Sequence, residues 1–179
     1  MKNKIYLGLG SNAGDRAENI TSALSFLQSS GLAAVKKISS LYETSPIGPK
    51  QRSFYNAVAE AETALAPKDL LALVKQAERL LGRRVSKRWG PRIIDIDILF
   101  YGQSIVKIKN LTIPHAQILK RLFTLMPMNE IAPDFVHPTL NRKINAILNE
   151  NLLTLADQKV KIIKNEQEDS IHNHPKKAR

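Results

Sequence analysis

Two carboxylates, Asp95 and Asp97, stand two residues apart in the segment "RWGPRIIDIDILF", residues 88–100. Around them Ile93, Ile94, Ile96, Ile98, Leu99 and Phe100 carry the branched and aromatic side chains that pack on a β-strand, where aspartate is disfavoured. Successive strand side chains point to opposite faces. Ile94, Ile96, Ile98 and Phe100 are therefore expected on a core face and both acids on the other, their Cα atoms about 6.5–7 Å apart. Two like charges this close repel unless something positive joins them. Magnesium fits, because it takes one or two carboxylates and leaves its other positions to water and phosphate. A pair of such ions can clamp a displacement at phosphorus. The plainer alternative is that both acids face solvent or pair with nearby arginines.

The neighbouring residues favour phosphate chemistry. Arg83, Arg84, Lys87, Arg88 and Arg92 crowd into one segment ahead of or beside the acids, and His115 and Arg121 follow downstream. A guanidinium matches phosphate oxygens and stays charged, so Arg83, Arg84, Arg92 and Arg121 suit a triphosphate whose charge shifts during transfer. Trp89, beside Gly90 and Pro91, offers either a rigid cover for a flat substrate or plain packing. There is no G-x-x-x-x-G-K-[ST] motif, which excludes a P-loop enzyme. "GLGSNAGD" is too loose for a dinucleotide fingerprint and reads as a strand end and turn.

The formal net charge of +11 attracts polyanions, so an RNA-binding module is one rival. Against it, acids at Asp95 and Asp97 would repel a nucleic-acid backbone. A second rival is a nucleotidyl-transferring enzyme of the palm type, but such enzymes usually draw their paired acids from separate strands. With 179 residues, 43% hydrophobic and 24% charged, the chain has the composition of one globular domain. No apolar run approaches the roughly 20 residues that span a bilayer, and the N-terminus lacks a convincing secretory signal. There is no cysteine, which excludes disulfide and thiolate chemistry and fits a cytoplasmic protein.

The elements that must carry these residues follow from periodicity. Residues 4–10 read as a strand. Asp15 and Glu18 resemble a capping box ahead of a helix with Ile20, Ala23, Leu24 and Leu27 on its apolar face and Gly31 at its end. Residues 33–44 look extended, Pro46, Gly48 and Pro49 make a loop, and 54–65 form a strand. A helix then begins at Pro67 and ends at Gly82, its stripe formed by Leu70, Leu73, Val74, Ala77, Leu80 and Leu81. The "IIDIDILF" strand, a "YGQS" turn and "IVKIK" follow, with one more helix over 139–151. The order β-α-β-β-α-β predicts a ferredoxin-like α+β sandwich, an antiparallel sheet with helices on one face. Residues 1–152 are expected to form a single catalytic domain and 153–179 a mobile polar tail, whose His172 and His174 carry no assigned role.

"GLGSN", "YETSPIG", "FYNAV", "ERLLGR", "RWGPRIIDIDILF" and "IPH", in that order and spacing, resemble the 6-hydroxymethyl-7,8-dihydropterin pyrophosphokinases of folate biosynthesis over about residues 4–135. The central W-G-P-R-x-x-D-[IL]-D-[IL] motif is highly specific. The resemblance implies transfer of diphosphate from ATP to the pterin hydroxymethyl group with release of AMP. It places two Mg²⁺ ions on Asp95 and Asp97, with Asp97 helping to remove the hydroxyl proton and Arg83 and Arg92 assisting transfer. The nucleotide site would comprise Glu78, Arg83, Arg84, Lys87, Arg92, Ile98, Thr112, His115 and Arg121. The pterin would lie between Phe54 and Phe123, read by Thr44, Ser45, Ile47 and Asn56 and bordered by Trp89 and Asp95. The loops at about 45–53 and 83–91 would close over both substrates. Also implied is a cytoplasmic monomer acting on small molecules, not on nucleic acid or membrane. Ala116, Lys75 and a shortened loop before Trp89 depart from the usual pattern of the family.

Overall fold

The computed structural model describes residues 1–46, 50–83 and 90–163. Ile47, Arg84, Lys87 and Trp89, expected at the site, lie outside the described residues. The chain forms β1 (Asn3–Ser11), α1 (Arg16–Ser29), β2 (Ala33–Ile38), β3 (Leu41–Thr44), β4 (Phe54–Thr63), α2 (Pro67–Leu80) and β5 (Asp95–Tyr101). A small hairpin of β6 (Val106–Ile108) and β7 (Leu111–Ile113) comes next, then a 3₁₀ turn (Ile118–Lys120) and α3 (Leu122–Ile131). A second hairpin, β8 (Val136–His137) and β9 (Arg142–Lys143), leads into α4 (Ile144–Thr154) and β10 (Val160–Ile163). This is a mixed α+β architecture.

The main sheet runs β10-β3-β4-β1-β5, with β2 also on β4, and all of its pairings are antiparallel. The extended stretch expected over 33–44 is two strands, broken at Ser39, whose hydroxyl accepts from the Val58 N–H. Asp15 caps α1 by accepting the Glu18 N–H at 3.0 Å. Glu18 does not complete a capping box; its carboxylate accepts from the Ser22 hydroxyl instead.

Helices cover both faces of the sheet, not one. On the first face Ile5, Leu7 and Leu9 of β1 and Ile96 and Ile98 of β5 meet Ile20, Ala23 and Leu27 of α1 and Leu70, Leu73, Val74 and Ala77 of α2. On the second face Tyr6, Val58, Leu99 and Phe100 meet Leu122, Leu125 and Met128 of α3 and Ile144, Ile147 and Leu148 of α4. Each layer removes a continuous apolar surface from water, the main favourable contribution to folding.

A β-bulge shifts the phase of β5 between these two faces. Leu7 pairs with Ile98 but Tyr6 with Phe100, so Leu99 is an extra residue in β5. Alternation slips there, and Phe100 joins the second face while Ile98 stays on the first. The expected common face for Ile94, Ile96, Ile98 and Phe100 thus ends at the bulge. Two further expectations are corrected. Leu80, placed in the α2 stripe, is 65% exposed. Of the tail expected from residue 153, the described part to residue 163 holds the end of α4 at Thr154 and β10, which pairs Val160 with Thr44 and Ile163 with Leu41. Alternating Val160, Lys161 and Ile162 suit a half-exposed edge strand.

Candidate active site

Along β1 from Gly8 to Gly10, on the second face, a cavity of about 590 Å³ opens. That volume suits a small-molecule site. Its floor is built by register: Gly8 lies between Val58 and Asp97, and Gly10 between Asn56 and Asp95. A Cβ on Gly10 would come within 3.1 Å of the Asn56 side-chain oxygen, and one on Gly8 within 3.3 Å of Leu99. Glycine inside a strand here marks a close approach.

Asp95 and Asp97 point from β5 into this cavity, as the strand period requires. Both oxygens of Asp95 are occupied: Arg83 donates to Oδ1 at 2.6 Å and Arg92 to Oδ2. Burial alone would raise the Asp95 carboxyl, but the charges of Arg83, Arg92 and Lys75 outweigh it and hold it below the usual carboxylate value. Asp97 is looser, with Arg121 Nη1 at 3.6 Å and His115 Nε2 at 3.8 Å from its Oδ2. Burial depresses the basicity of His115, Arg121 adds to the effect, and Asp97 and Asp95 oppose it only in part. Burial thus favours the neutral imidazole more than in a free histidine.

Two of these cations are held from behind. Arg92 is fixed through its backbone: its N–H donates to Asn12 Oδ1 at 2.7 Å, and its carbonyl accepts the Asn12 N–H at 3.0 Å. The Asn12 side-chain NH₂ donates to Gln51 Oε1 at 2.9 Å, tying this segment to the loop before β4. Arg83 also pairs with Glu78. The Glu78 carboxylate is only 3% exposed and accepts from the Ile96 N–H at 2.8 Å and from Lys75 at 2.9 Å. It therefore sits behind the cavity and orients Arg83. Ile98, 3% exposed, belongs to the core, and neither it nor the exposed Thr112 lines the cavity.

The opposite wall is apolar and amide-like. Phe54 and Phe123 both line it, with Ser45 and the buried Thr44 and Asn56. Asn56 donates to the Thr44 hydroxyl at 2.8 Å, which fixes its amide. The Arg121 guanidinium lies 5.5 Å from the Phe123 ring centre, so the aromatic and cationic ends of the wall adjoin. The structure thus gathers Thr44, Ser45, Phe54, Asn56, Arg92, Asp95, Asp97, Arg121 and Phe123 around one cavity, with Arg83 and His115 on its two acids. Sequence reading missed Gly8, Gly10, Asn12, Gln117, Lys120, Thr124 and Gln158; only the strand glycines carried a readable signal.

The donor set fits magnesium in one specific way. Among the described residues no group of three or more acidic, histidine or cysteine side chains converges. Two carboxylates facing a cavity supply part of a shell and leave oxygen positions for water and phosphate, which is how Mg²⁺ is commonly held.

A small antiparallel sheet with a two-acid cationic pocket and an aromatic wall is the setting of a small-molecule enzyme. The chain belongs to the 7,8-dihydro-6-hydroxymethylpterin-pyrophosphokinase (HPPK) family, whose model matches residues 6–133. It is 40% identical over 150 residues to the 2-amino-4-hydroxy-6-hydroxymethyldihydropteridine pyrophosphokinase of Aquifex aeolicus, covering 83% of this chain and 92% of that one. It is 42% identical over 144 residues to the folic acid synthesis protein FOL1 of Dictyostelium discoideum, covering 80% of this chain but only 22% of that longer protein. The crystal structure of Plasmodium falciparum HPPK-DHPS with pteroate superposes with a TM-score of 0.72 at 19% identity, over 88% of this chain and 44% of that one. At that identity the likeness concerns the fold.

Proposed function

We propose that the protein transfers diphosphate from ATP to the hydroxymethyl group of 6-hydroxymethyl-7,8-dihydropterin, releasing AMP, as a step of folate biosynthesis. The observation that carries this reading is the cavity itself, with two carboxylates and a cluster of cations on one side and Phe54, Phe123, Thr44 and Asn56 on the other. A flat heterocycle with amide-like edges needs stacking from rings and hydrogen bonds from fixed polar groups, and that wall supplies both. Its hydroxymethyl arm then faces the acids.

Asp95 and Asp97 would hold the magnesium, two ions on this reading, which supplies charge neutralisation at the phosphates. Arg83, Arg92, Arg121 and His115 bind and orient the phosphate oxygens. The pterin hydroxyl oxygen forms a bond to the β-phosphorus, the bond from that phosphorus to the α–β bridging oxygen breaks, and AMP leaves. Asp97, the less encumbered carboxylate, accepts the hydroxyl proton. Arg83 and Arg92 each meet Asp95 through Nη1 alone, which leaves their other N–H groups to donate to phosphate.

On the same reading residues 3–101 form a ferredoxin-like split βαβ. The order β5-β1-β4 with β2 and β3 beyond supports this, with α3, α4 and β10 added on. The catalytic domain then extends through β10, and the chain works as a cytoplasmic monomer on small molecules. The test is incubation with ATP, Mg²⁺ and the hydroxymethyl pterin. AMP should appear only when the pterin is present, and ATP turnover independent of the pterin would overturn the reading.

A further inference from the structure

The wall that carries Arg121 and Phe123 begins at an incompletely capped helix. The first N–H groups of a helix have no partner within it. The cap of α3 is Arg121, extended at φ −133° and ψ 100°, and it offers no side-chain acceptor. The missing partner comes from 36 residues further along the chain. The Leu122 N–H donates to Gln158 Oε1 at 2.9 Å, and Gln158 Nε2 donates to the Lys120 carbonyl at 2.8 Å. One primary amide thus straddles residue 121, bonding the groups before and after it as a neighbouring β-strand would. An extended backbone at Arg121 is the conformation that lets one planar amide reach both.

Gln158 is itself held in place. Its N–H donates to the Leu155 carbonyl at 2.9 Å in a turn, and two residues on, β10 pairs with β3 at Thr44. The Ser45 N–H donates to the Lys159 carbonyl at 3.4 Å. The segment between α4 and β10 therefore joins the two halves of the proposed pterin wall, with Thr44 and Ser45 on one side and Arg121 and Phe123 on the other. Gln158 also lines the cavity directly. Gln158 and β10 lie beyond residue 133, where the family model stops.

We infer that Gln158 is a positioning residue, which sets the directions of Arg121 and Phe123 by clasping the peptide groups on either side of Arg121. The inference rests on the function proposed above. A misplaced guanidinium lowers turnover and a misplaced ring weakens pterin binding, because small errors in position are costly in an oriented site.

The test compares the full chain with Gln158→Leu, which keeps the bulk but makes neither bond, and Gln158→Glu, which keeps only the acceptor for Leu122. The measurements are kcat and KM for both substrates, pterin binding by calorimetry, the urea midpoint, and hydrogen exchange of the Leu122 N–H by NMR. For Gln158→Leu the expected result is faster Leu122 exchange, with pterin affinity and kcat each lower by roughly tenfold, the effect of losing about two hydrogen bonds in part. The urea midpoint should fall modestly, as for a lost helix cap, and Gln158→Glu should fall between the two. Pterin affinity and kcat within about twofold of the parent overturn the role, as does a lower urea midpoint with unchanged kinetics per folded molecule. If the parent protein itself makes no pterin-dependent AMP, the functional reading fails first; if parent and Gln158→Leu are equally active, only the positioning role fails.

Discussion

Replacing Glu78 by alanine separates two roles that this buried carboxylate combines. β5 is an edge strand, with β1 on one side only. The Ile96 N–H donates away from the sheet, to Glu78 Oε1 at 2.8 Å, so a helix side chain takes the place of a neighbouring strand. The same carboxylate faces Lys75 and Arg83, whose side chains are 39% and 27% exposed and can rehydrate when it is lost. Leaving a buried N–H without a partner costs about 1–3 kcal/mol, and losing two partly exposed ion pairs adds about 1 kcal/mol. Glu78→Ala is therefore expected to destabilise by about 3 kcal/mol, a Tm lower by roughly 6–12 °C for a chain of this size. Glu78→Gln keeps an acceptor for Ile96 and loses only the charge, so about 1 kcal/mol is expected. Urea denaturation of the three proteins at neutral pH reads the difference. Equal loss in both variants would show that the charge, not the bond to Ile96, matters. A Glu78→Ala protein within about 0.5 kcal/mol of the parent would refute the reasoning altogether.

Asp97→Ala should abolish most turnover with stability changed by less than about 0.5 kcal/mol, because its ion pairs are long and partly exposed; Asp95→Ala should also lose turnover but fall by about 1 kcal/mol, since Arg92 loses its carboxylate partner and Arg83 keeps only Glu78. Activity per folded molecule, with urea midpoints alongside, checks both. Arg92→Ala should lower kcat by at least about tenfold while pterin affinity stays within about twofold, and the reverse pattern in calorimetry would move Arg92 out of the phosphate site. Gly10→Ala should weaken pterin binding by about tenfold, because the added methyl crowds Asn56 and disturbs its bond to Thr44; unchanged affinity would refute the floor geometry. Alkaline pH should destabilise the protein. Burial and hydrogen bonds to Glu60 and Glu130 raise the Tyr6 and Tyr42 hydroxyls above the ordinary 10.0, so their stabilisation is complete below that value and is lost as pH rises through the folded-state values. Urea midpoints at about pH 9 and about pH 11 should differ less in Tyr6→Phe and Tyr42→Phe than in the parent.

Much of the first sheet layer was readable because its signals are local. Asp15, Pro67 and the Leu70–Ala77 spacing mark helix starts and one apolar stripe, and period 2 correctly placed Asp95 and Asp97 together on the open face. The second layer was not. α3, "LFTLMPMNEI", is apolar all round and contains Pro127, so it shows no stripe, and it was missed. The last helix, expected over 139–151, begins at Ile144, because the β8–β9 hairpin is too short to show a period. The Leu99 bulge defeats any fixed period. The site divides in the same way. Acids and arginines are legible as chemistry, whereas Asn12 and Gln158 act through backbone groups distant in sequence, which no spacing reveals.

The cavity has a floor and a wall of different origin. Gly8, Gly10 and Asn56 belong to central strands paired on both sides, while Arg121 and Phe123 stand at the start of α3, a helix packed on the second face through Leu122, Leu125 and Met128 and tied at its first turn to Gln158. Opening free energies differ between such units. On the function proposed above, the helical entrance is expected to open more readily than the strand floor, while the acids keep the spacing that β5 dictates; faster hydrogen exchange at residues 121–123 than at residues 8–10 checks this.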